Sequence, residues 1–182
     1  MSLSMSQTSL PAFIIGLNAL CAILDKAEAF AKARKIDSPV LTGWRLAPDM
    51  FTLARQVQAA ADQAKNASAR LAGIDPPRFE DNETTIEQLK ARLVKTVAFL
   101  STLDPQPIDA SAGREITFPI GPDNKGRMKG ADYLHHFALP NFYFHLTVAY
   151  AILRQCGVEI GKRDFLGAIP MTMTSAVAAS GE

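Results

Sequence analysis

The residues best suited to hold a metal or move a proton are three histidines, His135, His136 and His145. A neutral imidazole is a common metal ligand and also a base near pH 7. His135 and His136 are adjacent, so on a helix their side chains diverge by about 100° and do not share one metal. His145 lies in LPNFYFHLTVAYAILRQCG (139–157), flanking an apolar seam. A second helical ligand would stand four residues on, and that position is Ala149, which has no donor atom. Asp49 is the best carboxylate partner. It is expected in the first turn of a helix, where negative charge suits the helix dipole. Facing His145, it would fix the imidazole tautomer and raise its pKa. The pair would then act as a general base or as two ligands of a metal site. The alternative leaves Asp49 to the dipole and His145 as a hydrogen-bonded residue at the edge of the core.

Trp44, Tyr143, Tyr150 and Arg154 complete the neighbourhood. Tyr143 and Tyr150 fall on one face of their helix, on the other side of the seam from His145. Arg154 follows Tyr150 by four, so the two can stack. Tyrosine and arginine on a helical wall suit an anionic ligand such as a carboxylate, although ordinary packing with an exposed phenol satisfies the same pattern. Trp44 either joins this site or staples the start of the following helix. Cys21 and Cys156 lie in apolar helical patterns and read as small hydrophobes, not as a disulfide framework. Phosphate-binding loops, the dinucleotide fingerprint, the hydrolase nucleophile elbow, H-E-x-x-H and C-x-x-C are absent from the sequence.

The elements that must position these residues are set out by the prolines. Proline is tolerated in a helix's first turn and breaks its interior, so the gaps between prolines mark long helices. Four gaps carry a 3.6-residue apolar period. The first helix is expected over 11–35, with Ser9 as cap, and the second over 48–71, ended by Gly73. The second has an alanine-rich seam that permits close helix packing. The third begins near Thr84, where Thr84 and Glu87 read as a capping box. The fourth opens at Pro140 and stops at Gly157. Between the third and fourth, REITFPI (114–120) alternates polar and apolar, and GPDNKG (121–126) is a turn signal. That segment is expected as a small β-hairpin over one end of a four-helix bundle, as lid, dimer contact or plain cover. Phe165, Leu166 and Ile169 should dock on the bundle, with a loose tail beyond.

Composition bounds the rest. The 182 residues suit a single four-helix-bundle domain over 1–182, and 48% hydrophobic with 20% charged residues is the balance of a soluble globular protein. A net charge of +1, with basic residues scattered among acidic ones, argues against nucleic acid or an anionic membrane as partner. The apolar run at 11–24 lacks a preceding basic residue and is shorter than the roughly 20 residues of a bilayer span. A cytoplasmic location is expected.

Three features resemble a known family: PDMFTLARQVQ (48–58), FYFHLTVAYAILRQCGVEIGKRDFLG (142–167) and the helical order between them. That family is domain of unknown function 1993, within the DinB-like superfamily. The resemblance implies an all-α, DinB-like bundle with up-down-down-up helix order, and a homodimer. It also implies a divalent metal, Zn or Ni, held by three histidines near one bundle end. Some members of the superfamily transfer low-molecular-weight thiols or isomerise small acids. By that likeness His145 matches the first histidine of the last helix, Ala149 replaces the next ligand, and Asp49 lies near the histidine of helix two. The first reading is therefore a variant metalloenzyme with a small-molecule pocket at Asp49 and His145. Its rival is a non-catalytic ligand-binding or dimerisation module.

Overall fold

The computed structural model describes residues 4–172. The loose tail expected at the C-terminus falls mainly on residues 173–182, outside the described residues. The elements run α1 (Met5–Arg34), α2 (Ser38–Thr42), α3 (Leu53–Ala72), α4 (Ile86–Ser101), α5 (Pro105–Asp109), β1 (Glu115–Ile120), β2 (Asn124–Lys129), α6 (Gly130–Asp132), a π-helical turn (Tyr133–Ala138), α7 (Leu139–Gln155) and α8 (Lys162–Leu166). The four long helices α1, α3, α4 and α7 form the bundle.

Local chemistry explains their ends. Ser4, not Ser9, caps α1, and its hydroxyl and the Gln7 side chain make a reciprocal capping box. Pro11 lies inside α1 and does not open it. Thr52 caps α3, which starts at Leu53, five residues nearer the C-terminus than the expected start at Pro48. Asp49 consequently sits in a turn before the helix and not in its first turn. Gly73 closes α3 with φ 77°, a left-handed conformation that glycine adopts without strain. Thr85 and Gln88 form the capping box of α4, one residue beyond the expected Thr84 and Glu87. By length and composition α1 could cross a bilayer. Its residues Phe13, Leu17, Leu20 and Leu24 are fully buried in the bundle core.

Cross-helix contacts fix the directions. Phe13 packs edge-on to Phe142, and Phe30 lies beside Gly157, so α1 and α7 are parallel. Gln56 meets His145 while Arg70 meets Tyr133, so α3 is antiparallel to α7. Lys90 bridges Asp25 and Glu28 while Asp109 accepts from the Ser6 N–H, so α4 is antiparallel to α1. The order is up-down-down-up, and α3 and α4 are parallel. The chain leaving α3 must therefore travel back along the bundle before α4 begins. The 20 residues of α3 rise about 30 Å, and an extended linker of residues 73–85 reaches at most about 45 Å. Pro76 and Pro77 favour that extended backbone.

Arg92 fastens this crossover. Its side chain is 1% exposed. Nη1 donates to the Glu80 carbonyl and to Glu83, and Nη2 donates to Asp62 on α3 and to Asp81. Burial works against its charge. The hydrogen bond to Glu83 and the charges of Asp62, Glu83 and Asp81 outweigh that effect and hold the guanidinium above its ordinary range.

The last long helix begins well before Pro140. Backbone at both ends of the π-helical turn stays right-handed helical, so α6, the turn and α7 form one run from Gly130. A proline ring collides with the carbonyl four residues back in a regular α-helix. Here the Leu139 N–H reaches Leu134, one residue further than an α-helical bond, and the widened turn accommodates Pro140. The hairpin stands as expected, β1 antiparallel to β2 in the register Ile120↔Asn124 to Glu115↔Lys129. Its buried Ile116 and Phe118 cover the start of the last helix, with Phe118 against Tyr133 and Phe137. Phe165 packs edge-on to Tyr150, and Lys26 pairs with Asp164, which docks α8 on the bundle.

Candidate functional site at His145

His145 projects from α7 beside α3 and is half-buried. Its Nδ1 lies 2.7 Å from Gln56 Oε1. With the Gln56 oxygen facing the ring as acceptor, the contact assigns the proton to Nδ1 and the lone pair to Nε2. Phe51 stacks parallel to the imidazole, its ring centroid 6.2 Å away, and Phe144 meets it edge-on at 5.3 Å. Arg55 lies over Phe51 and pairs with Asp81. Burial pushes the His145 pKa below the ordinary 6.5, and the Arg55 charge acts in the same direction. The imidazole is therefore neutral near pH 7, oriented, and able to accept a proton or a hydrogen bond at Nε2.

The other expected site residues are dispersed. Asp49 is exposed, and among the described residues no hydrogen bond or ion pair joins it to His145. The partner that fixes the imidazole is a neutral amide, and the pKa moves down where a carboxylate would have raised it. Trp44 is exposed; its carbonyl accepts from the Leu53 N–H and tethers the start of α3. Tyr143 lines an apolar cleft of about 180 Å³ with Ala12, Ile15 and Leu146, and burial pushes its phenol pKa up. Tyr150 packs on Phe165, and the described cation–π contacts do not include an Arg154–Tyr150 stack. His135 and His136 are exposed on the π-helical turn, with His136 Nε2 4.0 Å from Asp132. The Cys21 and Cys156 thiols are free and half-buried, and burial raises both pKa values, with Asp25 adding to the effect at Cys21.

Gln56 carries a signal that spacing could have exposed. It shares the buried seam of α3 with Leu53, Val57 and Ala60, and is itself 1% exposed. A polar side chain on such a seam needs a buried partner. Arg92 is the same case on α4, set between Leu89 and Leu93, with an acidic run at 80–83 to receive it.

A bundle in up-down-down-up order, with a histidine of the last long helix facing α3, the second long helix, defines a DinB-like protein. A crystal structure of a DinB family member protein from Shewanella denitrificans is 40% identical, with 93% of this chain and 95% of that chain covered and a TM-score of 0.85. The chain belongs to the family described as Domain of unknown function (DUF1993), whose model matches residues 5–166. No curated protein matches it.

The donor set does not fit the three-histidine metal that the superfamily resemblance implies. The α3 position facing His145 is Gln56, and the position four residues on from His145 is Ala149, a buried methyl. Zn and Ni sites draw on several imidazole, thiolate or carboxylate donors. Among the described residues no group of three or more His, Cys, Asp or Glu could hold a metal ion.

Proposed function

We propose that this DinB-like protein binds a small molecule at His145 and Gln56, without a resident metal to complete the site. The observation that carries the reading is the 2.7 Å bond between His145 Nδ1 and Gln56 Oε1. It occupies one imidazole nitrogen and leaves Nε2 with a lone pair in a neutral ring. The faces of Phe51 and Phe144 offer apolar area beside it, and the Nε2 lone pair suits a ligand with an O–H to donate. A ligand that keeps its proton at pH 7, such as a phenol, would donate a hydrogen bond to Nε2. If catalysis follows, His145 is the base.

Two measurements test this. Protein purified without chelator should carry Zn and Ni well below one per chain, and nitrogen-resolved NMR should find the proton on Nδ1. A panel of small phenols and other O–H donors should contain members that move the His145 ring resonances saturably. Stoichiometric metal that disappears in His145→Ala, or a panel that leaves the ring unmoved, would overturn the reading.

A second reading rests on exposed aromatics. Phe51 is 49% exposed and Phe144 56% exposed, flanking His145 on both sides. Such a pair suits a homodimer contact. The alanine-rich seam of α3 does not supply one, because Ala60, Ala61, Ala64 and Ala67 are fully buried within the bundle. Sedimentation of wild type and Phe144→Glu decides it: a dimer that dissociates in the variant supports this reading, and a wild-type monomer removes it.

A further inference from the structure

We infer that the cleft between the 75–83 crossover and α4 is a binding site for a small organic anion with an aromatic body. The cleft measures about 420 Å³ and is lined by Arg78, Phe79, Gln88, Ala91 and Lys95, together with Glu80, Asn82, Glu83 and Arg92. Its size falls in the range of small-molecule pockets.

The charges in it are unequally matched. Arg92, with Arg55 and Lys65, balances the carboxylates of Glu83, Asp62 and Asp81 in one network of ion pairs. Glu80 accepts from the Asn82 amide. Among the described residues Arg78 and Lys95 make no ion pair, so two cations face one remaining carboxylate. Lys95 Nζ stands 4.1 Å from the centre of the Phe79 ring, held there by the aromatic face. On the same α4 wall as Lys95, the capping box fixes Gln88. Its Oε1 accepts from the N–H groups of Thr84 and Thr85, which turns its amide NH₂ into an oriented donor. Residues 88, 91, 92 and 95 share one face of α4, and Gln88 lies in its first turn. Two cations and an amide donor suit a carboxylate or phosphate. Ala91 and Phe79, the latter with Lys95 over its ring, supply the apolar lining that an aromatic body needs.

The site is held open by the fold. Phe79 separates the cleft from a second one of about 860 Å³, lined by Lys65, Asn66 and residues 75–80. Lys65 Nζ lies 4.4 Å from the same ring, so cations from α3 and α4 both hold Phe79 in place. Arg92 anchors the crossover immediately beyond it. None of these residues belongs to the His145 site, so this inference does not depend on the one above.

The test is an NMR titration of the full chain with benzoate, phenyl phosphate and inorganic phosphate. One or both aromatic anions should move the amides of Gln88, Ala91 and Lys95 saturably, and which one binds identifies the anionic group. Inorganic phosphate should bind at least about tenfold more weakly, because it lacks the ring. The double variant Arg78→Ala, Lys95→Ala removes two exposed side chains, and folding is checked by circular dichroism. It should weaken the aromatic anion by about tenfold or more, while His145→Ala should leave binding unchanged. No saturable shift with either aromatic anion at 10 mM (about 10 mM being a weak-fragment limit), or binding that survives the double variant, would overturn the inference.

Discussion

Arg92→Met asks how much the crossover depends on one guanidinium. The substitution keeps most of the side-chain volume and removes the charge. Among the described residues it leaves Glu83 without an ion partner, Asp62 with Lys65 alone and Asp81 with Arg55 alone, and it frees the Glu80 carbonyl. Breaking a buried ion pair from one side costs about 3–5 kcal/mol. Asp62 and Asp81 remain 24% and 37% exposed, so water reclaims part of their solvation. That argues for the lower end, about 3 kcal/mol. In a chain of this size each kcal/mol moves Tm by about 2–4 °C, so the fall should be about 6–12 °C. Added salt should recover part of it by screening the carboxylates. Amide exchange should accelerate first at residues 79–83, because those residues lose their anchor. Arg92→Lys should fall between the two, since an ammonium keeps the charge without the planar fork. Calorimetry and hydrogen exchange read both effects. A Tm within about 2 °C of wild type, with unchanged exchange at 79–83, would refute the clamp.

Three further outcomes follow from the same contacts. The His145 pKa is depressed in the folded state, so above pH 6.5 it contributes nothing to pH dependence; below 6.5 the unfolded chain takes up the proton first, and stability falls until the folded-state pKa is passed. NMR titration should place the His145 midpoint below 6.5, and Gln56→Leu should abolish the fixed tautomer. Gly130→Ala would set a Cβ 2.1 Å from the Ser111 carbonyl oxygen, so urea unfolding should show a loss of about 1–3 kcal/mol or more. Thr85→Ala removes the acceptor for the Gln88 N–H and should cost about 1 kcal/mol in the same assay.

The sequence by itself determined the four long helices, the hairpin and the all-α class. These are local matters: apolar residues recur with the helical period, alternate in the hairpin, and stop at Gly73 and Gly157, both left-handed in the fold. Helix starts were legible less well. Pro11 and Pro140 both read as first-turn residues. Pro11 lies inside a helix capped earlier by Ser4, and Pro140 follows a π-helical turn that spacing does not announce.

Only the tertiary structure decided which side chains meet. The partner of His145 is 89 residues away in the chain, and Asp62 is 30 residues from Arg92. No periodicity ranks Gln56 above Asp49 for such a role. That choice required knowing that α3 starts at Leu53, runs antiparallel to α7, and turns Gln56 inward. The parallel arrangement of α3 and α4 likewise forced the long return of residues 73–85, which created both the buried Arg92 and the cleft beside Phe79. A polar residue on an apolar stripe shows in sequence that a partner is needed. The packing of the helices selects the partner.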